Sequence, residues 1–145
     1  MAVGLVMENQ FLWNLSMPVG VSQPNKLDDV ELVRFGYFMM RSANDIHLAS
    51  QELRGALQAM QTTGVFDKDL DAVIRAHQRQ KHENPIDGKV SVAHPTPINR
   101  GRFDGHHAWI IVNLNNFMRD FEQYPRIDLH AQSGSEISRL ARRLR

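Results

Sequence analysis

Thr63-Gly64-Val65-Phe66-Asp67-Lys68-Asp69-Leu70-Asp71-Ala72-Val73-Ile74-Arg75-Ala76-His77-Gln78-Arg79, followed by Pro85-Ile86-Asp87-Gly88-Lys89-Val90, is the stretch on which the fold turns. Gly64 stands where a helix end wants a left-handed residue, a conformation that costs glycine nothing. Phe66 follows as a plug between two helices. Asp67 is expected to cap a new helix with Leu70, Val73, Ile74 and His77 as its buried stripe. Asp69 and Asp71 suit the positive end of that helix, and Arg75 and Arg79 lie further along it. Pro85 stops it, Asp87-Gly88 reads as a turn, and Val90 and Val92 share one face of a short extended piece.

Upstream, residues 26–43 read as a first helix. Asp28 is the expected cap, with Glu31 completing a capping-box pattern. Val30, Val33, Tyr37 and Met40 form its stripe, and Leu32, Phe35 and Met39 widen it. Gly36 inside this helix costs about 1 kcal/mol against alanine, and close packing of another element is the usual reason for such a residue. Residues 44–63 hold a second helix, with Ser50 as cap and Leu53, Ala56, Leu57 and Met60 as stripe. Residues 1–25 read as extended. Phe11, Trp13 and Leu15 fall on one face, and Pro18, Gly20 and Pro24 argue against a helix. Trp13 is expected in a core or interface, with sugar stacking as the other reading.

Downstream, residues 94–105 read as a loop that divides a core unit (1–97) from a C-terminal extension (98–145). Ala108-Trp109-Ile110-Ile111-Val112-Asn113-Leu114 is rich in β-branched residues and reads as a strand, with helix left open. Asn115 or Asn116 is then expected to cap a short helix through Tyr124. Residues 132–135 make a hinge. Residues 136–145 form an amphipathic basic helix bearing Arg139, Arg142, Arg143 and Arg145.

A chain of 145 residues with 42% hydrophobic and 23% charged residues fits one ordinary globular domain, with or without an extension. A net charge of +1 gives no global field toward nucleic acid or membrane. The absence of cysteine rules out disulfides, a cysteine nucleophile and thiolate metal sites. Residues 1–7 carry no lysine or arginine, so no Sec signal is expected, and no apolar run has the length of a membrane span.

Several of these features occur together in one family. Residues 21–96 resemble the three-helix peptidoglycan-binding-like domain found beside cell-wall hydrolases and L,D-transpeptidases. The resemblance rests on Asn25, the Asp28-Asp29-Val30-x-Leu32-Val33 helix start, Gly64-x-Phe66, Ala72-Val73-Ile74 with His77-Gln78 behind, Asp87-Gly88-x-Val90 and Pro95-Thr96. His77 stands where the family has phenylalanine. The link at residues 42–51 is longer than the family's, and Phe35-Gly36-Tyr37-Phe38-Met39-Met40 replaces a leucine-rich run. The resemblance implies a mainly α fold: a three-helix core with an N-terminal extended segment and a C-terminal strand or helix extension. It also implies a non-catalytic module that binds peptidoglycan through a shallow groove. Tyr37, Arg75, His77, Gln78 and Arg79 are the candidate ligand-binding residues by position, and arginine there could pair with stem-peptide carboxylates.

Catalytic patterns are weak. None of the seven histidines forms a helical metal-binding pair. A cluster of His94, His106 and His107 is the remaining metal option, and no metal or cofactor is expected. No Gly-x-Ser-x-Gly elbow occurs, and nothing singles out a carboxylate pair among sixteen acidic residues. The 109–114 run faintly resembles the start of a transpeptidase domain, whose nucleophilic cysteine is absent here. The expectation is therefore a binding module with peptidoglycan as ligand, made without a Sec signal and exported to the envelope by another route. The alternative is a protein-interaction component or adaptor of a bacterial secretion system, or an immunity-type partner of a wall-active enzyme. Arg139, Arg142, Arg143 and Arg145 would then carry the partner contact.

Overall fold

The computed structural model describes residues 3–7, 10–61, 65–93 and 109–118. In chain order these form strands β1 (Val3–Met7) and β2 (Gln10–Asn14), helix α1 (Leu27–Arg41), a 3-10 turn (Ile46–Leu48), and helices α2 (Gln51–Ala59), α3 (Lys68–Gln80) and α4 (Trp109–Met118). The fold is mainly helical, as the sequence predicts. Within the N-terminal segment β1 and β2 pair antiparallel, with Val3 opposite Asn14 and Met7 opposite Gln10.

Local signals explain most of the helix ends. Ser50 Oγ accepts from Leu53 N at 3.2 Å, and Asp67 Oδ1 accepts from Leu70 N at 2.9 Å, each satisfying a donor the helix cannot. Helix α1 differs from the expectation. Its cap position is Lys26, with no side-chain cap bond, and Asp28 lies in the first turn. Its neighbour Asp29 is buried and turns away from the helix. It accepts from Ser16 N (2.8 Å), Ser16 Oγ (2.8 Å) and Met17 N (3.1 Å), and so fastens the incoming chain to α1. Gly64 lies outside the described residues, and Phe66 is half-buried against the core.

Residues 109–118 are a helix, not the strand favoured by the Ile-Ile-Val run. The reason is packing. Ile110, Ile111, Leu114 and Met118 repeat at helical spacing and are all buried, so a tertiary stripe outweighs a weak local preference. Asn115 and Asn116 are consequently inside the helix and cap nothing; the rest of the helix expected through Tyr124 lies outside the described residues. Helix α4 packs on α1 and β2, while α2 packs on α3. One hydrophobic core, from Trp13 and Leu15 through Val33, Phe35, Leu57 and Ile74 to Ile111, runs through all of them. The helix assigned from sequence to a C-terminal extension is thus part of that core. Gly36 marks the α1–α4 crossing, where a Cβ would stand 2.8 Å from Leu114 Cβ; the glycine is there because the helices touch.

Three asparagines replace missing strands. Asn115 accepts from Trp13 N through Oδ1 and donates to Trp13 O through Nδ2, both at 2.8 Å. Asn14 does the same to Ala93, accepting from its N at 2.9 Å and donating to its O at 2.8 Å. Asn25 brackets Gly20 with two bonds of 2.8 Å. A side-chain amide has a donor and an acceptor side by side, so it can pair with a peptide unit as a neighbouring strand does. A backbone bridge between Val19 and Val90 (3.1 and 2.8 Å) closes the same edge. Arg34, fully buried, donates to Gln61 O, to Val65 O (2.7 Å) and to Asp67 Oδ2 (3.4 Å), tying both sides of the α2–α3 connection to α1.

Candidate functional site

The last turn of α3 ends in His77-Gln78-Arg79-Gln80, and the chain then runs as a loop from Lys81 to Ser91. Gln78 shapes that loop. Its Oε1 accepts from Gly88 N at 2.8 Å, and its Nε2 donates to Asp87 Oδ1 at 2.8 Å. Asp87 Oδ1 also accepts from Lys89 N at 2.9 Å. Gly88 has φ of 68° and lies against Asp71 and Arg75, so neither its backbone nor its surroundings admit a side chain. Arg75 bonds Asp71 with its Nε at 2.9 Å and donates to Ile86 O at 3.1 Å. The Gln78 and Asp87-Gly88 motifs, nine or ten residues apart, are one folding unit.

Between this loop and α4 lies a cavity of about 630 Å³. Gln78, Asn84, Asn113 and Asn116 supply amides to its wall; Lys81, Lys89, Glu83 and Asp87 supply balanced charges; Ile110, Val112 and Pro85 supply apolar surface. A volume of this size and a mixed wall suit a small organic group. Burial pushes the Glu83 carboxyl upward; a hydrogen bond from Gln78 opposes the shift and nearby Asp87 adds to it.

Behind the cavity stands a buried polar link. Tyr37 OH lies 3.0 Å from His77 Nδ1, and His77 Nε2 lies 3.0 Å from Asn113 Oδ1. The Tyr37 and His77 rings meet edge to face at 5.5 Å. Burial raises the Tyr37 phenol well above its ordinary range, with Glu83 adding to the shift. Burial lowers His77 to about 4; the Asn113 bond opposes this and Lys81 reinforces it. The imidazole is therefore neutral near pH 7. Neutral His77 has one N–H. Tyr37 is wholly buried and its hydroxyl proton needs an acceptor, which Nδ1 provides. The proton of His77 is then on Nε2, donated to Asn113 Oδ1.

This link carries a pH dependence of definite sign. The unfolded chain protonates His77 near 6.5, while the folded chain resists until about 4. Between those values the unfolded state binds more protons, so stability falls as pH falls from 6.5 toward 4. The shift corresponds to about 3 kcal/mol. Glu83, with its raised pKa, acts in the opposite direction on acidification. Urea midpoints measured from pH 7 to pH 4 should drop steeply in the wild type and less in His77→Gln; equal slopes would contradict the assignment.

The residues picked from sequence occupy different places. Gln78 is buried, braces the loop and lines the cavity. Tyr37 and His77 are buried and face each other. Arg75 is bound to Asp71 and the loop backbone, and exposed Arg79 pairs with Glu52 across α2 and α3. Arg139, Arg142, Arg143 and Arg145, and the His94, His106 and His107 set, lie outside the described residues. Among the described residues no group of three histidines and carboxylates is placed to hold a metal, and no helix is long and apolar enough to cross a membrane. Of the cavity wall the sequence singled out Gln78 alone; the loop residues from Lys81 to Ser91 were not picked as a site, nor were Asn113 and Asn116 of α4. Their signal was the helical spacing of Ile110, Ile111, Leu114 and Met118, which leaves both asparagines off the buried stripe. Comparisons with protein-family models, curated proteins and solved structures found no match to this chain.

Proposed function

We propose that this chain is a non-catalytic binding module of the peptidoglycan-binding-like type, with bacterial peptidoglycan as ligand and the cavity between the 81–91 loop and α4 as its seat. The observation that carries this reading is the cavity wall: four amide side chains among balanced charges and apolar patches. Peptidoglycan offers acyl amides, hydroxyls and both signs of charge, which such a wall can match by hydrogen bonding without a net field. The union of Gln78 with the Asp87-Gly88 turn supports the family resemblance, because it makes two separate motifs serve one structural purpose. The module acts in the cell envelope. The test is sedimentation with purified insoluble peptidoglycan. The protein should pellet with the wall and be released by soluble muropeptides. Protein left in the supernatant at modest ionic strength would overturn the proposal.

A second reading has one observation in its favour. Met17, Val21 and Leu27 are exposed apolar residues close together in the chain before and at the start of α1, a composition suited to a protein contact. Under this reading the chain is an interaction component of a secretion system or an immunity-type partner of a wall-active enzyme. Failure to sediment with the wall, together with a stable complex with such an enzyme, would favour it.

A further inference from the structure

The cavity wall contains one polar group whose direction is dictated from behind. Asn113 spends its Oδ1 on the Nε2–H of His77, and His77 is fixed in turn by the buried Tyr37 hydroxyl. Its side chain is half-buried and lines the cavity, and among the described residues its Nδ2 has no hydrogen-bond partner. An amide on a free rotor can turn either oxygen or nitrogen to a ligand. This one cannot turn without placing its N–H₂ against the N–H of His77. We infer that Asn113 is a specificity-determining donor, held so that its Nδ2–H₂ faces the cavity and selects ligands that bring a neutral acyl-amide carbonyl oxygen.

The surroundings favour a neutral acceptor over a charged one. Lys81 and Lys89 are offset by Glu83 and Asp87 in the same wall, so no net charge draws a free carboxylate. Asp87 Oδ1 and Gln78 Oε1 are engaged in holding the loop. Beside Asn113 the apolar Ile110 and Val112 give a methyl or methylene group a place to rest. An acyl amide has this profile, with a carbonyl oxygen and an adjoining small apolar group. An N-acetylated sugar and a peptide backbone both carry it. The inference rests on the reading of this cavity as the ligand seat, and it goes further by naming the group recognised and the residue that recognises it.

The experiment is a titration of the ¹⁵N-labelled full chain, following the side-chain N–H₂ resonances of Asn113. Three probes are added separately: N-acetylglucosamine, N-acetylglycine N-methylamide, and glucose. At least one acyl-amide probe should shift the Asn113 pair, and the tighter of the two identifies a sugar or a peptide source. Glucose, with hydroxyls but no acyl amide, should leave the pair in place. Asn113→Asp keeps an oxygen for His77 and removes the donor, so it should weaken the better probe by at least about fivefold, the effect of one hydrogen bond. An unmoved Asn113 pair with both acyl amides, an equal response to glucose, or unchanged affinity in folded Asn113→Asp would overturn the inference. The wild-type titration decides even if the variant does not fold. Wall sedimentation with no response at Asn113 would sink this inference alone. A response at Asn113 without sedimentation would sink the wall as ligand and leave the donor role standing.

Discussion

Asn115→Ala is expected to lower the unfolding free energy by about 4 kcal/mol, a large part of the 5–15 kcal/mol that holds an ordinary domain. Asn115 is wholly buried, and its side chain bonds Trp13 N and Trp13 O at 2.8 Å and Ile111 O at 2.7 Å. Truncation takes the Asn115 partner from both peptide groups of Trp13 without admitting water freely, and each buried polar group so deprived costs roughly 1–3 kcal/mol. The hollow left between α4 and β2 adds to the loss. Asn115→Asp should also be costly. It retains the acceptor for Trp13 N but buries a charge and loses both donated bonds. Denaturant midpoints check the magnitude, and hydrogen exchange at the Trp13 amide checks the location. A loss under 1 kcal/mol, or an unchanged exchange rate at Trp13, would contradict this account.

Arg34→Ala should cost about as much by a different route. A guanidinium removed fully from water is tolerable only while its bonds are made. Here it donates to Gln61 O and Val65 O and pairs with Asp67. Alanine removes those donors and leaves a hole in the core, giving an expected loss of about 4 kcal/mol. Arg34→Met separates the contributions. It retains most of the volume, loses the bonds and escapes the burial of a charge, so its loss should be about half as large. Paired urea unfolding curves provide the comparison. Equal losses in the two variants would mean that the volume contributes nothing and only the bonds matter. Asp67 also caps α3 through Leu70 N, so part of the Arg34→Ala effect should appear as fraying at the start of that helix.

What could be read from sequence was what is local. The Ser50 and Asp67 caps and the stripes of α1, α2 and α3 depend on residues a turn apart, and the structure has them. Asp28 failed as a cap because its neighbour Asp29 is claimed by Ser16 and Met17, which precede the helix and are brought to it only by folding. The α4 segment leans toward a strand in sequence, with helix left open, because a β-branched run says what a short piece of chain prefers alone. Its helical form follows from contact with Gly36 on α1. The candidate site shows the same division. His77 and Gln78 stood out by position, yet their partners Asn113 and Gly88 are 36 and 10 residues further on. Asn113 carried no motif of its own. It matters because it lies where a helix from late in the chain meets a histidine from the middle.

The paired asparagines bear on the conditions this protein can endure. The ties from Asn14 to Ala93, from Asn25 to Gly20 and from Asn115 to Trp13 are made by neutral groups. Mobile ions weaken attraction between exposed charges and leave such dipole pairs nearly untouched. Concentrated brine would loosen the exposed Arg79–Glu52 pair and leave β2 joined to α4, so that seam would survive osmotic swings that open a contact made by exposed ion pairs.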